Sequence, residues 1–206
     1  MADSESDDGT ERMASSSHDG RRCIGIDVQI GRGLAYAVMD GGGHVVDNGW
    51  ADAAQPGRLI GALAAQFPGA RFGIDAPRCP LPAPRQHYWG PEGWRARRHG
   101  DRGFGRHCEV VIAACGLARP QWTPVAGSAI PAWMALGFAL FDACRSSGRP
   151  VEEVFPSAAY QQLEQDPDAR VDIPLRGFRR GPKDMLDAVI AAYALREFTS
   201  GRGGSA

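Results

Sequence analysis

Two aspartates end the same tripeptide in this chain, and each stands where a buried strand is expected to end. Asp27 closes a Gly-Ile-Asp run at 25–27, and Asp75 closes another at 73–75. The carboxyl ends of parallel strands meet at one edge, which is where open α/β sheets bind ligands. The repeated tripeptide therefore predicts two carboxylates at one site. Each also has a structural interpretation, since Asp27 could cap a turn and Asp75 could fix the bend before Pro77.

Two further aspartates, Asp184 and Asp187, stand three residues apart at the start of a long apolar segment. On a helix this spacing places both on one face. Acids in a first turn complement the helix dipole, which is a sufficient structural reason for Asp184. Asp187 is followed at once by an apolar run and is expected to point partly into the protein. Crowded carboxylates raise each other's pKa unless a cation is present, so converging oxygen donors predict a site for Mg²⁺ or Mn²⁺.

The elements that would carry the first two acids can be followed along the chain. Strands at 22–28, 32–40 and 44–51, separated by glycine-rich turns, predict an antiparallel meander. A helix is expected after Pro56, where a first helical turn tolerates proline. A strand at 70–75 follows it, and the crossover helix makes this strand parallel to the first.

The rest of the chain adds one more strand and several helices. Residues 78–106 are rich in Pro, Gly, Arg and aromatic residues and predict a long irregular loop. The later elements are expected in this order: helices at 106–115 and 131–146, a strand at 151–156, and helices at 157–163 and 183–198. The last helix is expected to be amphipathic. The pattern predicts an α/β fold with a mixed five-stranded sheet, made of a three-strand antiparallel meander plus two parallel strands.

Length and composition limit the classes of protein that fit. The chain has 206 residues and a formal net charge of −1, which suits one ordinary domain. Residues 1–20 are polar and acidic and predict a disordered tail rather than a signal peptide, leaving 21–200 as a single domain. No stretch approaches the ~20 apolar residues of a spanning helix, so a cytoplasmic protein without a membrane partner is expected. Five cysteines at irregular spacings predict free thiols, and no spacing supports a zinc site.

The segment 78–106 has a composition suited to nucleic acid, because seven arginines stand against two acids and alternate with aromatic residues. Guanidinium groups hold phosphates, and aromatic rings stack on unpaired bases. This predicts contact with single-stranded or branched nucleic acid through Trp94, Arg95, Arg97, Arg98 and Arg106. The alternative is a solvated loop whose aromatic side chains pack on the core. Arg106 and Glu109 are expected to pair within one helical turn, as a structural pair.

Five motifs stand in an order that resembles a known family. They are Gly25-Ile26-Asp27, Asp75-Ala76-Pro77, Arg106 with Glu109, Glu153-Val154-Phe155-Pro156, and Asp184 with Asp187-Ala188. The chain is similar to the group catalogued as domain of unknown function 429, described as predicted nucleases of ribonuclease-H-like fold. Its Asp-x-x-Asp-Ala helix is also similar to that of Holliday-junction resolvases. The resemblance covers about 22–198 and implies a ribonuclease-H-like sheet with helices on both faces.

The resemblance implies a divalent-metal-dependent nuclease that hydrolyses phosphodiester bonds. The catalytic metal ligands that it implies are Asp27, Asp75 and Asp187, with Asp184 or Glu153 completing the set. Two Mg²⁺ or Mn²⁺ ions roughly 4 Å apart would activate a water and stabilise the leaving oxygen. Lys183 would help to neutralise the charge of the transition state, although a lone surface lysine is more often only solvated.

Two other functions fit parts of the same pattern. A non-catalytic nucleic-acid-binding or interaction module would keep the fold with its acids unoccupied. Metal binding with no turnover on any DNA or RNA would favour this alternative. A domain of the actin and sugar-kinase group would bind phosphate at the glycine turn within 26–33. Such proteins clamp a nucleotide between two domains, and this chain has neither the length for two nor a second glycine-rich phosphate loop.

Overall fold

The structure is a computed structural model that describes residues 22–165 and 180–203. The acidic tail expected at 1–20 lies outside the described residues. The strands are Cys23–Asp27 (β1), Leu34–Met39 (β2), Val45–Ala51 (β3), Arg71–Asp75 (β4), His87–Gly90 (β5), Gly93–Ala96 (β6) and Val151–Glu153 (β7). The helices are Pro56–Gln66 (α1), His107–Ala114 (α2), Ala132–Ser146 (α3), Pro156–Gln165 (α4) and Pro182–Thr199 (α5).

Five of the strands form one mixed sheet in the order β3-β2-β1-β4-β7. Short turns join β1, β2 and β3, which pair antiparallel. Helix α1 carries the chain over the sheet, so β4 pairs parallel with β1, and β7 in turn pairs parallel with β4. The expected α/β fold with a three-strand meander and two parallel strands is confirmed. Strand β7 ends at Glu153, earlier than expected, because Pro156 already begins α4.

Helices cover both faces of this sheet, as expected. Helices α1 and α3 pack on the face that carries Ile24, Ile26 and Phe72. Helix α5 packs on the opposite face, against Ala35 and Ala37 of β2. No helix within the described ranges is long and apolar enough to cross a membrane.

Helix α5 is buried on most sides, so the prediction of an amphipathic helix was wrong. Residues 187–192 form an unbroken buried run, because the sheet covers one side of α5 and α4 packs on another. The helix lies very close to the sheet where β1 and β4 carry glycine. A Cβ at Gly25 would lie 2.1 Å from the carbonyl oxygen of Ala188, and one at Gly73 would lie 3.2 Å from that of Ala191. The two glycines therefore set the distance between α5 and the sheet.

Residues 78–106 are not irregular throughout, so that prediction was also wrong. Strands β5 and β6 form a separate two-stranded hairpin, with Trp89 opposite Trp94 and Gly90 opposite Gly93. Gly93 has a φ of +95°, which favours glycine at this turn. Aromatic residues on either side of a Gly-Pro-Glu-Gly turn are a hairpin signal that the high Pro and Gly content masked.

Candidate active site

Asp27 and Asp75 are direct partners across two parallel strands. Strands β1 and β4 pair in register, so Asp27 lies opposite Asp75, just as Gly25 lies opposite Gly73. Residues two apart on a strand share a face, and both glycines face α5. The two carboxylates therefore lie on the α5 side of the sheet, at the carboxyl edge of β1 and β4. The expected convergence of the two tripeptides is confirmed.

The first turns of α5 bring Asp187 and Lys183 to the same edge. Because Ala188 packs over Gly25, the residues before it lie near the end of β1. The Lys183 ammonium donates a hydrogen bond to Oδ2 of Asp187. The hydroxyl of Tyr160, on α4, donates to Oδ1 of Asp187 at 2.8 Å. Both oxygens of Asp187 thus have a donor.

Burial and mutual repulsion dominate the electrostatics of the strand acids. Asp27 is 3% exposed, and burial together with the charges of Asp187 and Asp184 raises its pKa from 3.8 to about 7. Its Oδ2 is buried without a hydrogen-bond partner among the described residues. Burial, and then the charges of Asp27 and Asp187, also raise the pKa of Asp75 well above its ordinary value. The site therefore favours a proton or another cation between these carboxylates.

The same negative field acts on the donors around Asp187. Burial opposes the charge of Lys183, but its hydrogen bond to Asp187 and the nearby charges outweigh burial and raise its pKa. Burial and the hydrogen bond to Asp187 raise the pKa of Tyr160 as well. Lys183 is therefore positively charged and Tyr160 is neutral at ordinary pH.

The structure places the two candidates for a fourth ligand differently. Asp184 does not line the cleft, because Arg32 holds it through two hydrogen bonds, one of them 2.8 Å between Nη2 and Oδ1. Glu153, at the end of β7, does line it. Both guanidinium Nη atoms of Arg106 donate to Glu153, and the backbone N–H of Arg78 donates to it at 3.2 Å.

The expected pair of Arg106 and Glu109 is present within a larger buried network. Arg106 Nη2 donates to Oε1 of Glu109 at 3.0 Å, while Glu109 Oε2 accepts the backbone N–H of Thr123 at 2.9 Å. Burial opposes the charge of Arg106, but its bonds to Glu153 outweigh burial and raise its pKa. The network ties the start of α2, the segment at 123 and the end of β7 together. It fixes Glu153 at the edge of the sheet.

These groups surround a cleft of about 460 Å³. The expected site residues that line it are Asp27, Asp75, Arg106, Glu109, Glu153, Lys183 and Asp187. Arg119 also lines it, and this side chain has no hydrogen-bond or ion-pair partner within the described part of the chain. Arg119 and Tyr160 were not predicted, because no local spacing in the sequence connects either residue with the acids.

The other expected substrate-binding residues lie outside the cleft lining, on the hairpin or directly after it: Trp94, Arg95, Arg97 and Arg98. Arg95 is held by Asp101 through two hydrogen bonds of 2.7 and 3.0 Å. The ring of Trp94 stacks on that of His107 at 6.2 Å between centroids. Because His107 follows Arg106, the hairpin adjoins the cleft.

The grouping of possible ligand side chains bears on metal binding. Within 22–165 and 180–203, no three His, Cys, Asp or Glu side chains are grouped so that they could hold a metal ion as they stand. Asp187 and Glu153 are instead directed towards Lys183 and Arg106. The five cysteines are free, as expected.

No family model, curated protein or solved structure matches the chain.

The raised pKa of Asp27 has a consequence for stability. We expect the metal-free protein to lose stability as the pH rises from 3.8 towards about 7, because the folded state binds more protons than the unfolded state in this interval. Asp27→Asn removes one of the two carboxyl groups with a raised pKa and should make this dependence shallower. Thermal melting in chelator across this pH range measures the effect. Parallel curves for the variant and the wild type would contradict it.

Proposed function

We propose that this protein is a divalent-metal-dependent nuclease of ribonuclease-H-like fold, similar to the predicted nucleases catalogued as domain of unknown function 429. One observation carries the proposal. The ends of two parallel strands place Asp27 beside Asp75 at the wall of a cleft, and Asp27 Oδ2 is buried there without a partner among the described residues. Asp187 lines the same cleft and acts electrostatically on both.

The donor set suits Mg²⁺ or Mn²⁺. These ions prefer oxygen ligands, and Mg²⁺ is commonly held by one or two carboxylates together with waters and a substrate phosphate. Asp27 and Asp75 would be the protein ligands, and Asp187 would join them by giving up its bond to Lys183. Glu153 is the stronger candidate for a fourth ligand, because Arg32 holds Asp184 outside the cleft lining. When bound, the ions would activate a water and stabilise the leaving oxygen of a phosphodiester.

The cations that line the cleft would have different roles. Lys183, released when Asp187 joins the ions, would add a positive charge beside them for a substrate phosphate. Arg119 is the cation with no internal partner in the described residues, so it is free to hold a substrate phosphate. Arg106 is occupied by Glu109 and Glu153, and it acts as a positioning residue that orients Glu153.

A non-catalytic nucleic-acid-binding module is the second candidate function. It is favoured by the internal partners of three acids, since Asp184, Asp187 and Glu153 are each paired with a cation. Such pairing leaves less negative charge for a metal to balance. The module would bind nucleic acid in chelator as well as in Mg²⁺.

The deciding experiment is cleavage of a panel of single-stranded, duplex, hybrid and branched DNA and RNA. If the protein is a nuclease, it should cleave at least one of these substrates in Mg²⁺ or Mn²⁺ and none of them in chelator. Absence of cleavage on every substrate with both ions would reject the nuclease and leave the binding module.

Metal binding is expected to raise the melting temperature independently of any substrate. A ligand that binds only the folded state stabilises it by mass action, by about 2.7 kcal/mol at a hundredfold excess over its Kd. We expect the wild type to melt at a higher temperature in millimolar Mn²⁺ than in chelator. Asp27→Asn should melt at or above the wild type in chelator, because repulsion is relieved, and should gain much less from Mn²⁺.

Asp40→Asn is the matched control for this measurement. Asp40 lies in the turn between β2 and β3, where it accepts the backbone N–H of His44 at 2.9 Å, and it does not line the cleft. This variant should keep the full rise in Mn²⁺. An equal rise for Asp27→Asn, or no rise for the wild type with either ion, would show that these acids do not hold a metal.

A further inference from the structure

The hairpin presents an exposed aromatic surface. Trp89 and Trp94 lie opposite each other in β5 and β6, edge to face with 5.3 Å between ring centroids, and they are 48% and 50% exposed. Both side chains lie on the same face of the hairpin, because directly paired residues of two strands point to the same side. Aromatic rings grouped in this way on a surface indicate a binding site.

The opposite face of the hairpin, which carries Tyr88, is held in place by cation–π contacts and a hydrogen bond. The guanidinium of Arg85 lies 3.9 Å from the ring centre of Tyr88 and 4.7 Å from that of Trp122. The Tyr88 hydroxyl accepts the backbone N–H of Gly103 at 2.7 Å. Because these contacts anchor the hairpin, little backbone conformational entropy is lost when a ligand stacks on Trp89 and Trp94.

The aromatic surface adjoins the cleft through His107. Trp94 stacks on His107, whose neighbour Arg106 lines the cleft. A ligand that stacks on Trp94 therefore lies next to the cleft.

Charge around the rings favours a polyanion. Arg95 is already bound to Asp101, so it serves the hairpin itself rather than a ligand. Arg98 and Arg102 are exposed, and their side chains make no hydrogen bond within the described residues. They are available to phosphates beside the aromatic rings.

We propose that Trp89 and Trp94 form a stacking platform for unpaired bases, so that the substrate enters the cleft as single-stranded nucleic acid. This rests on the proposed function, since it names the substrate class of the same cleft. Bases in a duplex are stacked on each other and have no free faces, whereas those of a single strand can stack on tryptophan. Tryptophan and arginine also suit an anionic membrane surface, but a bilayer cannot continue into the cleft as a strand can.

The test is binding in chelator, which separates binding from cleavage. The probes are an unstructured single-stranded oligonucleotide, the duplex of the same sequence, and vesicles of phosphatidylserine and phosphatidylcholine. We expect the wild type to prefer the single strand, and the double variant Trp89→Ala, Trp94→Ala to bind it at least ~10-fold more weakly. Val46→Ala is the control, because Val46 is a 44% exposed apolar residue on the edge strand β3 that does not line the cleft, and the substitution should not change binding.

Two further variants keep the test decisive. Replacing both hairpin tryptophans by phenylalanine retains aromatic faces and should retain most of the binding, even if the alanine variant loses the hairpin. Replacing Arg98 and Arg102 by alanine should reduce the salt dependence of binding, because fewer counterions are released.

The outcomes distinguish this inference from the proposed nuclease. Equal binding by the folded alanine variant, a preference for duplex, no binding to the single strand, or tryptophan-dependent binding to vesicles alone would each overturn the platform. Tryptophan-dependent binding of the single strand without cleavage would support the platform and reject the nuclease. Metal-dependent cleavage with tryptophan-independent binding would reject the platform and support the nuclease.

Discussion

Asp27→Asn and Asp75→Asn are each expected to lower Mg²⁺- or Mn²⁺-dependent cleavage by at least ~100-fold. The two carboxylates are partners at the ends of parallel strands, so they approach any ion in the cleft from one side. An asparagine keeps the size of the side chain but removes its charge and replaces one oxygen by a hydrogen-bond donor. Single-turnover cleavage at saturating metal measures the loss on the chemical step.

Asp40→Asn is again the control and should cleave at the wild-type rate, because Asp40 accepts a hydrogen bond in a turn away from the cleft. Melting curves for all three variants separate lost chemistry from lost fold. Near-normal cleavage by either Asp27→Asn or Asp75→Asn would remove that residue from the site.

Gly25→Ala is expected to destabilise the protein by at least ~3 kcal/mol. The new Cβ would lie 2.1 Å from the carbonyl oxygen of Ala188 and 2.3 Å from the backbone nitrogen of Ala192. Both are backbone atoms of α5, so no side-chain rotation can relieve the overlap, and the helix must move away from β1. Urea denaturation monitored by circular dichroism measures the change in the free energy of unfolding.

Gly61→Ala is the matched control for this substitution. Gly61 lies in the middle of α1, where an added Cβ would meet no atom within 4 Å. Alanine is the better helix former, so this variant should be stabilised by up to ~1 kcal/mol. A denaturation midpoint for Gly25→Ala equal to that of the wild type would mean that α5 does not lie directly on β1.

The sequence was sufficient for the sheet and for the pairing of its acids. The glycine-rich turns predict the meander. The helix that crosses the sheet before β4 predicts that β4 pairs parallel with β1. Once β1 and β4 pair, the repeated tripeptide places Asp27 beside Asp75. These features depend on local periodicity and on chain connectivity, which a single sequence contains.

Other parts of the site depend on contacts between distant segments, which local patterns do not specify. Asp184 is bound by Arg32, 152 positions earlier, and Asp187 by Tyr160 of another helix. The prediction that α5 is amphipathic was wrong for a similar reason. It assumed that only one side of the helix is covered, whereas the sheet covers one side and α4 covers another.

The placement of α5 also has a consequence for the order of folding. Strands β1 and β4 and the helices on the first face all precede 147, whereas α5 begins at Pro182. During synthesis the sheet and its first face can form while the second face is still bare. Docking of α5 then covers the apolar side chains of that face and delivers Asp187 and Lys183 to the strand ends in the same event. Docking of α5 therefore completes the core and the cleft in one step. A chain that stops before 182 has neither a complete core nor a complete cleft.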